Sequence, residues 1–267
     1  MKLYLVRHGQ STGNVAGTLL GQGDHPLTEL GEKQARAAAA RLAPFGPMPL
    51  HCSDLARAMA TAEYIARAWA KPVAFGDLLD AASRPPAPAG PGSAAPALLP
   101  DPRLREIDLG DYEGRPWEEF EADEQLMTAF AEDPYRTSLP GGESLAHIET
   151  RVMAAVRDIL GAHGLRDDGG LTTESVATAD ASASATGLHA AEQDDAACIV
   201  SHDGPIRAIL NHYLGVPPEK WWTLSTTHGG VSLLEFSGGW VNIRFMNATS
   251  HLAGLDDAPA DAPSGAD

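Results

Sequence analysis

The chain has 267 residues, of which 19 are Lys or Arg and 36 are Asp or Glu, a formal balance of −17. That length fits one large domain or two small ones, and a hydrophobic content of 43% suffices for a packed core. The acidic excess argues against a nucleic-acid footprint and against an anionic membrane surface. No apolar run approaches the length of a transmembrane helix. The first residues, Met1 to Arg7, turn polar too soon for a signal peptide. Cys52 and Cys198 alone cannot frame a disulfide scaffold. The expectation is a soluble, cytoplasmic, globular protein.

In chain order, Lys2 to Val6 reads as a short strand that stops at Arg7-His8-Gly9. Thr28 reads as the N-cap of a helix whose Ala-rich body runs through Leu42 until Pro44 ends it. Pro49 to Ser53 reads as a second strand, followed by a helix from Leu55 to Trp69 capped by Ser53 or Asp54. Val73 to Phe75 reads as a third strand. The stretch from Asp80 to Pro100 carries prolines at 85, 86, 88, 91, 96 and 100, which excludes helix and central strand and leaves an extended loop or linker. A helix near Trp117–Phe130 and a longer one near Ser144–Leu160 follow.

Leu165 to Ala197 holds seven acids against one base, and His251 to Asp267 holds four acids and no base. Both are rich in small residues and poor in aromatics, so burial cannot offset their ordering entropy. We read most of 166–195 as a surface insertion and 253–267 as a disordered tail, with residues 1–252 as a single domain. Ala197 to Ser201 reads as a buried strand running into His202-Asp203-Gly204-Pro205, and Pro205 suits the first turn of a helix reaching Tyr213. Val231–Phe236 and Trp240–Phe245 read as a hairpin turning at Ser237-Gly238-Gly239. Strands alternating with helices predict an α/β fold, three layers deep (α/β/α), with a mostly parallel central sheet and a C-terminal β-hairpin.

In such sheets ligands bind beyond the carboxyl ends of the strands. Three expected strands end in polar, reactive residues: Arg7-His8, Ser53-Asp54 with Arg57 one turn on, and Ser201-His202. Parallel strands would gather these at one edge. Two histidines and two arginines suit a phosphoryl group, because guanidinium forks match phosphate oxygens and stay charged. A neutral imidazole is a competent nucleophile near pH 7 and would give a phosphohistidine. No Walker loop, calcium loop or HExxH spacing is present, so no metal is assigned.

The blocks Leu5–Asn14 (LVRHGQSTGN), Pro26–Gly31 with Gln34-Ala35, and Ser53–Ala58 with Thr61-Ala62 resemble the histidine phosphatase superfamily, also called the phosphoglycerate mutase-like family. Leu104–Gly114, Pro140–Ser144, Val200–Gly204 and the closing Asn247–Leu252 continue the resemblance across residues 3–252. The resemblance implies that His8 is the nucleophile that becomes phosphorylated. It implies that Arg7, Arg57 and His202 surround the phosphoryl group, with Asn14 as a further donor and Ser11 standing where Thr is usual. Glu106 matches the acid that protonates the leaving oxygen and then activates water. Glu143 is read as serving the dipole of its helix. His25, His51, His147, His163, His189, His212, His228 and His251 are read as surface or packing residues, with His228 and His251 at most at the pocket rim.

The mutases of the family carry a long, basic segment between the Glu106 block and the Gly-Glu-Ser block. Here Arg115 to Leu139 is short and acidic, poorly suited to a second phosphate. The resulting expectation is a phosphomonoester hydrolase acting on a small phosphorylated metabolite without a cofactor. A phosphoglycerate mutase using 2,3-bisphosphoglycerate is the alternative, and a non-catalytic phospho-ligand module a third reading. No nucleic-acid or membrane partner is expected. The sequence leaves monomer and homodimer both open.

Overall fold

The computed structural model describes residues 1–70, 95–167 and 195–255. Six strands form one sheet: β1 (Lys2–Arg7), β2 (Leu50–Cys52), β3 (Leu98–Pro100), β4 (Ala196–Ser201), β5 (Val231–Ser237) and β6 (Trp240–Ala248). Their spatial order is β3-β2-β4-β1-β5-β6. β1, β2, β3 and β4 run parallel, while β5 lies antiparallel to β1 and β6 antiparallel to β5. The expected mostly parallel sheet with a terminal hairpin is therefore what the chain forms.

The central strands are apolar on both faces, and their alternation sorts side chains into two layers. Leu3, Leu5, Ala197, Ile199, Leu234 and Phe236 face one cluster, completed by α5 (Leu145–Ala162) and α6 (Asp203–Leu214). Tyr4, Val6, Cys52, Cys198, Val200 and Val231 face the other, completed by α1 (Glu29–Leu42) and α2 (Ala56–Trp69). Removing each of the Val, Leu, Ile and Phe side chains from water contributes about 1.5–3 kcal/mol. Both cysteines are free and buried in this second layer.

Thr28 caps α1 as expected, accepting from the Gly31 N–H, and Ser144 caps α5 in a capping box closed by the His147 ring. The α2 cap departs from expectation. Leu55 occupies the cap position without a side-chain bond. Asp24, from a distant loop, instead accepts from the Ala56 N–H at 2.7 Å. Asp54 is turned away into a bidentate pair with Arg105, both bonds 2.6 Å.

The single helix expected near 117–130 is two: α3 (Trp117–Glu121) and α4 (Glu124–Glu132). Ala122 ends the first, and Asp123 caps the second, accepting from the Leu126 N–H. These helices close a small third cluster of Leu109, Tyr112, Leu126 and Leu139. The proline-rich stretch also differs at its end, where Leu98–Pro100 pairs with β2 as an edge strand, the sheet position that tolerates a proline. The expected strand at 73–75, residues 80–94, most of the acidic insertion (168–194) and the tail from 256 lie outside the described residues. No described helix is long and apolar enough to cross a membrane.

Candidate active site

The parallel pairing puts the ends of β1 and β4 in register, Arg7 opposite Ser201, with β2 beside β4. His8, which follows β1, is 2% exposed, and His202, which follows β4, is fully buried. Their rings meet edge to face with centroids 4.9 Å apart. Arg57, in the first turn of α2 and 1% exposed, points its Nε–H at His8 Nε2 from 3.3 Å. Arg7, Arg57, His8 and His202, although far apart in sequence, form one cluster.

The His8 ring has a defined tautomer. Its Nδ1 lies 2.6 Å from the Gly9 carbonyl oxygen, which can only accept, so Nδ1 carries the proton. The lone pair is left on Nε2, on the Arg57 side. Burial, then the neighbouring His202, His228, Arg57 and Arg7, hold the His8 pKa well below the ordinary histidine value. Burial and the same arginines act likewise on His202. Both rings are neutral at physiological pH.

His202 Nε2 lies 2.8 Å from Ser53 Oγ. That hydroxyl already accepts from the Leu55 N–H, so its own hydrogen is available to Nε2, which leaves the ring proton of His202 on Nδ1. Among the described residues, His202 Nδ1 and Arg7 Nε are buried without a hydrogen-bond partner. Buried donors left without a partner are of the kind that can bind an anion.

Two carboxylates outside the cluster fix its arginines. Arg57 donates to the carbonyls of Gly21 and Gly23 at 2.7 Å each. Glu113 accepts from the N–H groups of Gly21, Gln22 and Gly23 at 3.0–3.1 Å, so the loop is gripped from both sides. Asp203, in the first turn of α6, bonds the Thr226 hydroxyl and N–H and lies 3.8 Å from Arg7 Nη1. Arg7 Nη1 in turn donates to the Thr226 carbonyl, and Nη2 to His228 Nε2 at 3.0 Å. Glycine permits the close backbone here. A Cβ on Gly9 would overlap the Gly31 carbonyl, so the start of α1 could not seat against the His8 loop.

Glu106 follows a short 3-10 turn (Pro102–Leu104) and aims its carboxylate at the start of α6. It accepts from the Ile107 N–H at 2.9 Å and from the Gly204 N–H at 3.2 Å. Burial and the nearby Asp203 charge raise its pKa, against the opposing pull of those N–H groups and Arg57. A Cβ at position 204 would overlap Glu106 Oε1, so this approach requires glycine. Asn14 and Ser11 form a pair of their own. Ser11 donates from its N–H and hydroxyl to Asn14 Oδ1 at 2.9 and 2.8 Å, and the Asn14 amide nitrogen has no partner among the described residues. The Ser11 hydroxyl is thus engaged in orienting Asn14.

Glu143 does not serve its helix dipole as expected. It precedes the Ser144 cap and pairs with Arg151, while accepting from the Asp108 N–H. Arg151 also donates to the carbonyls of Arg103, Arg105 and Glu106, holding the Glu106 loop. His228 is the residue sequence reasoning most undervalued, since its ring centroid lies 5.5 Å from that of His8. The available signal was topological: β5 runs antiparallel to β1, so the loop before it must lie where β1 ends. No group of three or more His, Cys, Asp or Glu among the described residues is placed to hold a metal ion.

Comparison with known proteins identifies relatives in both sequence and fold. The profile of the histidine phosphatase superfamily (branch 1) matches residues 3–80, 92–170 and 165–249. A chain from Enterobacter sp. (strain 638) named "Probable phosphoglycerate mutase GpmB" is 32% identical, with 97% of each chain covered. The solved mycobacterial glucosyl-3-phosphoglycerate phosphatase is 26% identical, with a TM-score of 0.64 over 92% of this chain and 98% of that one. A structure described as mycobacterial hydrolase 1 is also 26% identical, with a TM-score of 0.66 and the same coverage. The chain belongs to the histidine phosphatase superfamily.

Proposed function

We propose that the protein hydrolyses small phosphomonoesters through a phosphohistidine on His8. The observation that carries the reading is the His8 tautomer: a neutral ring, its Nδ1 proton engaged by the Gly9 carbonyl, with its Nε2 lone pair facing the Arg57 Nε–H. In the first step Nε2 attacks phosphorus in line while the ester P–O bond breaks. Glu106, its pKa raised by burial and the nearby Asp203 charge, is assigned the proton that goes to the leaving oxygen. In the second step the Glu106 carboxylate takes a proton from water, which attacks phosphorus and breaks the P–N bond. Inorganic phosphate leaves and the starting enzyme is restored. Arg7, Arg57, His202 Nδ1 and the Asn14 amide stabilise the charge on the equatorial oxygens, and Ser11 orients Asn14.

Phosphoglycerate mutase is the second reading, favoured by the names of relatives such as the Enterobacter chain. A mutase must hold a second phosphate while the first is on histidine, and this needs cations to spare. Here Arg105, close to the Gln22 side chain, is committed to Asp54, and Arg115 is paired with Glu119. The α3–α4 segment supplies Glu118, Glu119, Glu121, Glu124 and Glu132. These features support release to water, and a role without chemistry is disfavoured because both histidines, both arginines and Glu106 are intact. The test is phosphate release across sugar phosphates, nucleotides and phosphoglycerates, beside mutase activity with and without 2,3-bisphosphoglycerate. Monoester hydrolysis exceeding mutase turnover supports the reading, and bisphosphoglycerate-dependent mutase turnover exceeding hydrolysis overturns it.

A further inference from the structure

His228 stands closer to the reacting centre than rim packing requires. Its ring centroid is 5.5 Å from that of His8, and its Nε2 accepts from Arg7 Nη2 at 3.0 Å. A guanidinium can only donate, so Nε2 must carry the lone pair and Nδ1 the proton. That Nδ1–H has no hydrogen-bond partner among the described residues, and the side chain is only partly buried.

The loop is built to hold the ring there. Thr226 is bonded through its N–H and hydroxyl to Asp203, and its carbonyl to Arg7. Thr227 is held by Asn247, whose Oδ1 accepts from the Thr227 N–H at 2.8 Å and whose Nδ2 donates to the Thr227 hydroxyl. Asn247 is the one non-glycine residue with positive φ (45°) among the described residues, a conformation that persists where its surroundings demand it. On the other side, the Gly229 N–H donates to the Arg7 carbonyl at 3.0 Å, and the His251 ring bonds the Gly229 carbonyl at 2.9 Å. Both flanks of His228 are thereby tied to the strand that delivers Arg7 and His8.

We propose that His228 is a further catalytic residue, its Nδ1–H donating to an oxygen of the phosphoryl group in transit to and from His8. The proposal rests on the phosphohistidine reading above. A neutral donor adds a hydrogen bond to the charged oxygens without adding a third cation beside the two arginines. Its other nitrogen meanwhile fixes one Arg7 donor, so a single ring couples the arginine to the anion.

Three substitutions separate the two nitrogens. His228→Asn keeps an amide N–H near the Nδ1 position and loses the acceptor for Arg7. His228→Gln keeps an acceptor for Arg7 and loses the Nδ1 donor. His228→Phe loses both. With p-nitrophenyl phosphate, Gln and Phe should lower kcat by about tenfold to a hundredfold, the range for one hydrogen bond to a charged group. Asn should stand several-fold above Gln. Inorganic phosphate should raise the melting temperature of wild type and Asn more than that of Gln or Phe, a readout that does not depend on turnover. Gln matching wild type in kcat and phosphate stabilisation, with Asn as low as Phe, overturns the proposal and leaves His228 as an Arg7 support alone. Phosphohistidine trapping on wild type distinguishes the two levels. If the label forms on His8 while Gln is fully active, only the His228 proposal falls; if no label forms, the underlying mechanism falls as well.

Discussion

Arg151 tests whether the Glu106 loop is held as the structure indicates. All five of its guanidinium hydrogens are used: two on the Glu143 carboxylate at 2.8 Å and three on the carbonyls of Arg103, Arg105 and Glu106 at 2.7–2.8 Å. The ion pair is mostly buried, with the two side chains 17% and 21% exposed, so solvent screening discounts it little. Arg151→Met keeps the apolar stem and removes every donor. At about 1 kcal/mol per bond the ceiling is about 5 kcal/mol, and stranding one partner of a buried pair costs about 3–5 kcal/mol. We expect a loss of about 3–5 kcal/mol in urea unfolding and a melting temperature lower by roughly 10 °C. Arg151→Lys keeps the charge but not the planar fork and should fall between. Because the freed carbonyls flank Glu106, hydrolysis of alkyl phosphates should fall further than that of aryl esters, whose leaving groups need no acid. A loss below about 1 kcal/mol with unchanged leaving-group dependence would refute the reasoning.

Three further predictions follow from the same geometry. Glu106→Gln should slow alkyl phosphate hydrolysis by about a hundredfold or more while reducing aryl ester hydrolysis far less, the signature of a lost general acid; equal losses on both assign the proton to another group. Gly204→Ala should push the Glu106 carboxylate aside and cut kcat by roughly tenfold to a hundredfold, read in steady-state kinetics beside a thermal melt that shows the fold retained. Stability should fall as pH drops below about 6.5, the ordinary histidine value. Burial and neighbouring charge hold His8 and His202 well below that value, and burial followed by Arg7 and Arg57 pushes His228 down to about 2. The unfolded chain therefore binds more protons in that window, and each ring adds a slope approaching about 1.4 kcal/mol per pH unit. Chemical unfolding from pH 7 to 4.5 measures it, and His228→Phe should flatten the slope by about one proton.

The sequence shows the strand ends because apolar runs and the residues that stop them are adjacent in the chain. Arg7-His8, Arg57 and Ser201-His202 are legible as neighbours once parallel pairing is assumed, and β1 and β4 do pair in parallel, with Arg7 opposite Ser201. The cap at Thr28 was legible too, because donor and acceptor lie within one turn. What was not legible depends on partners far away. Asp24 caps α2 from 32 residues off, and Glu113 grips the Gly21–Gly23 loop from about 90. Neither leaves a periodic trace. Glu143 resembled a dipole residue by position alone, whereas its carboxylate answers Arg151, eight residues further along the chain. The break between α3 and α4 has no glycine or proline, and only Asp123, an able cap, hinted at it. His228 was hidden because its neighbours in the chain carry no chemistry, and its place beside His8 follows only from the antiparallel start of β5.

The central claim is that the phosphoryl group passes onto Nε2 of His8. Rapid quenching into base during turnover of a phosphomonoester, followed by peptide mass spectrometry and nitrogen NMR of the labelled ring, tests it directly. The account predicts one phosphoryl group on the peptide containing His8, attached at Nε2, acid-labile, and absent in His8→Ala. A label that persists in His8→Ala, or turnover with no label on the wild-type His8 peptide, would contradict it.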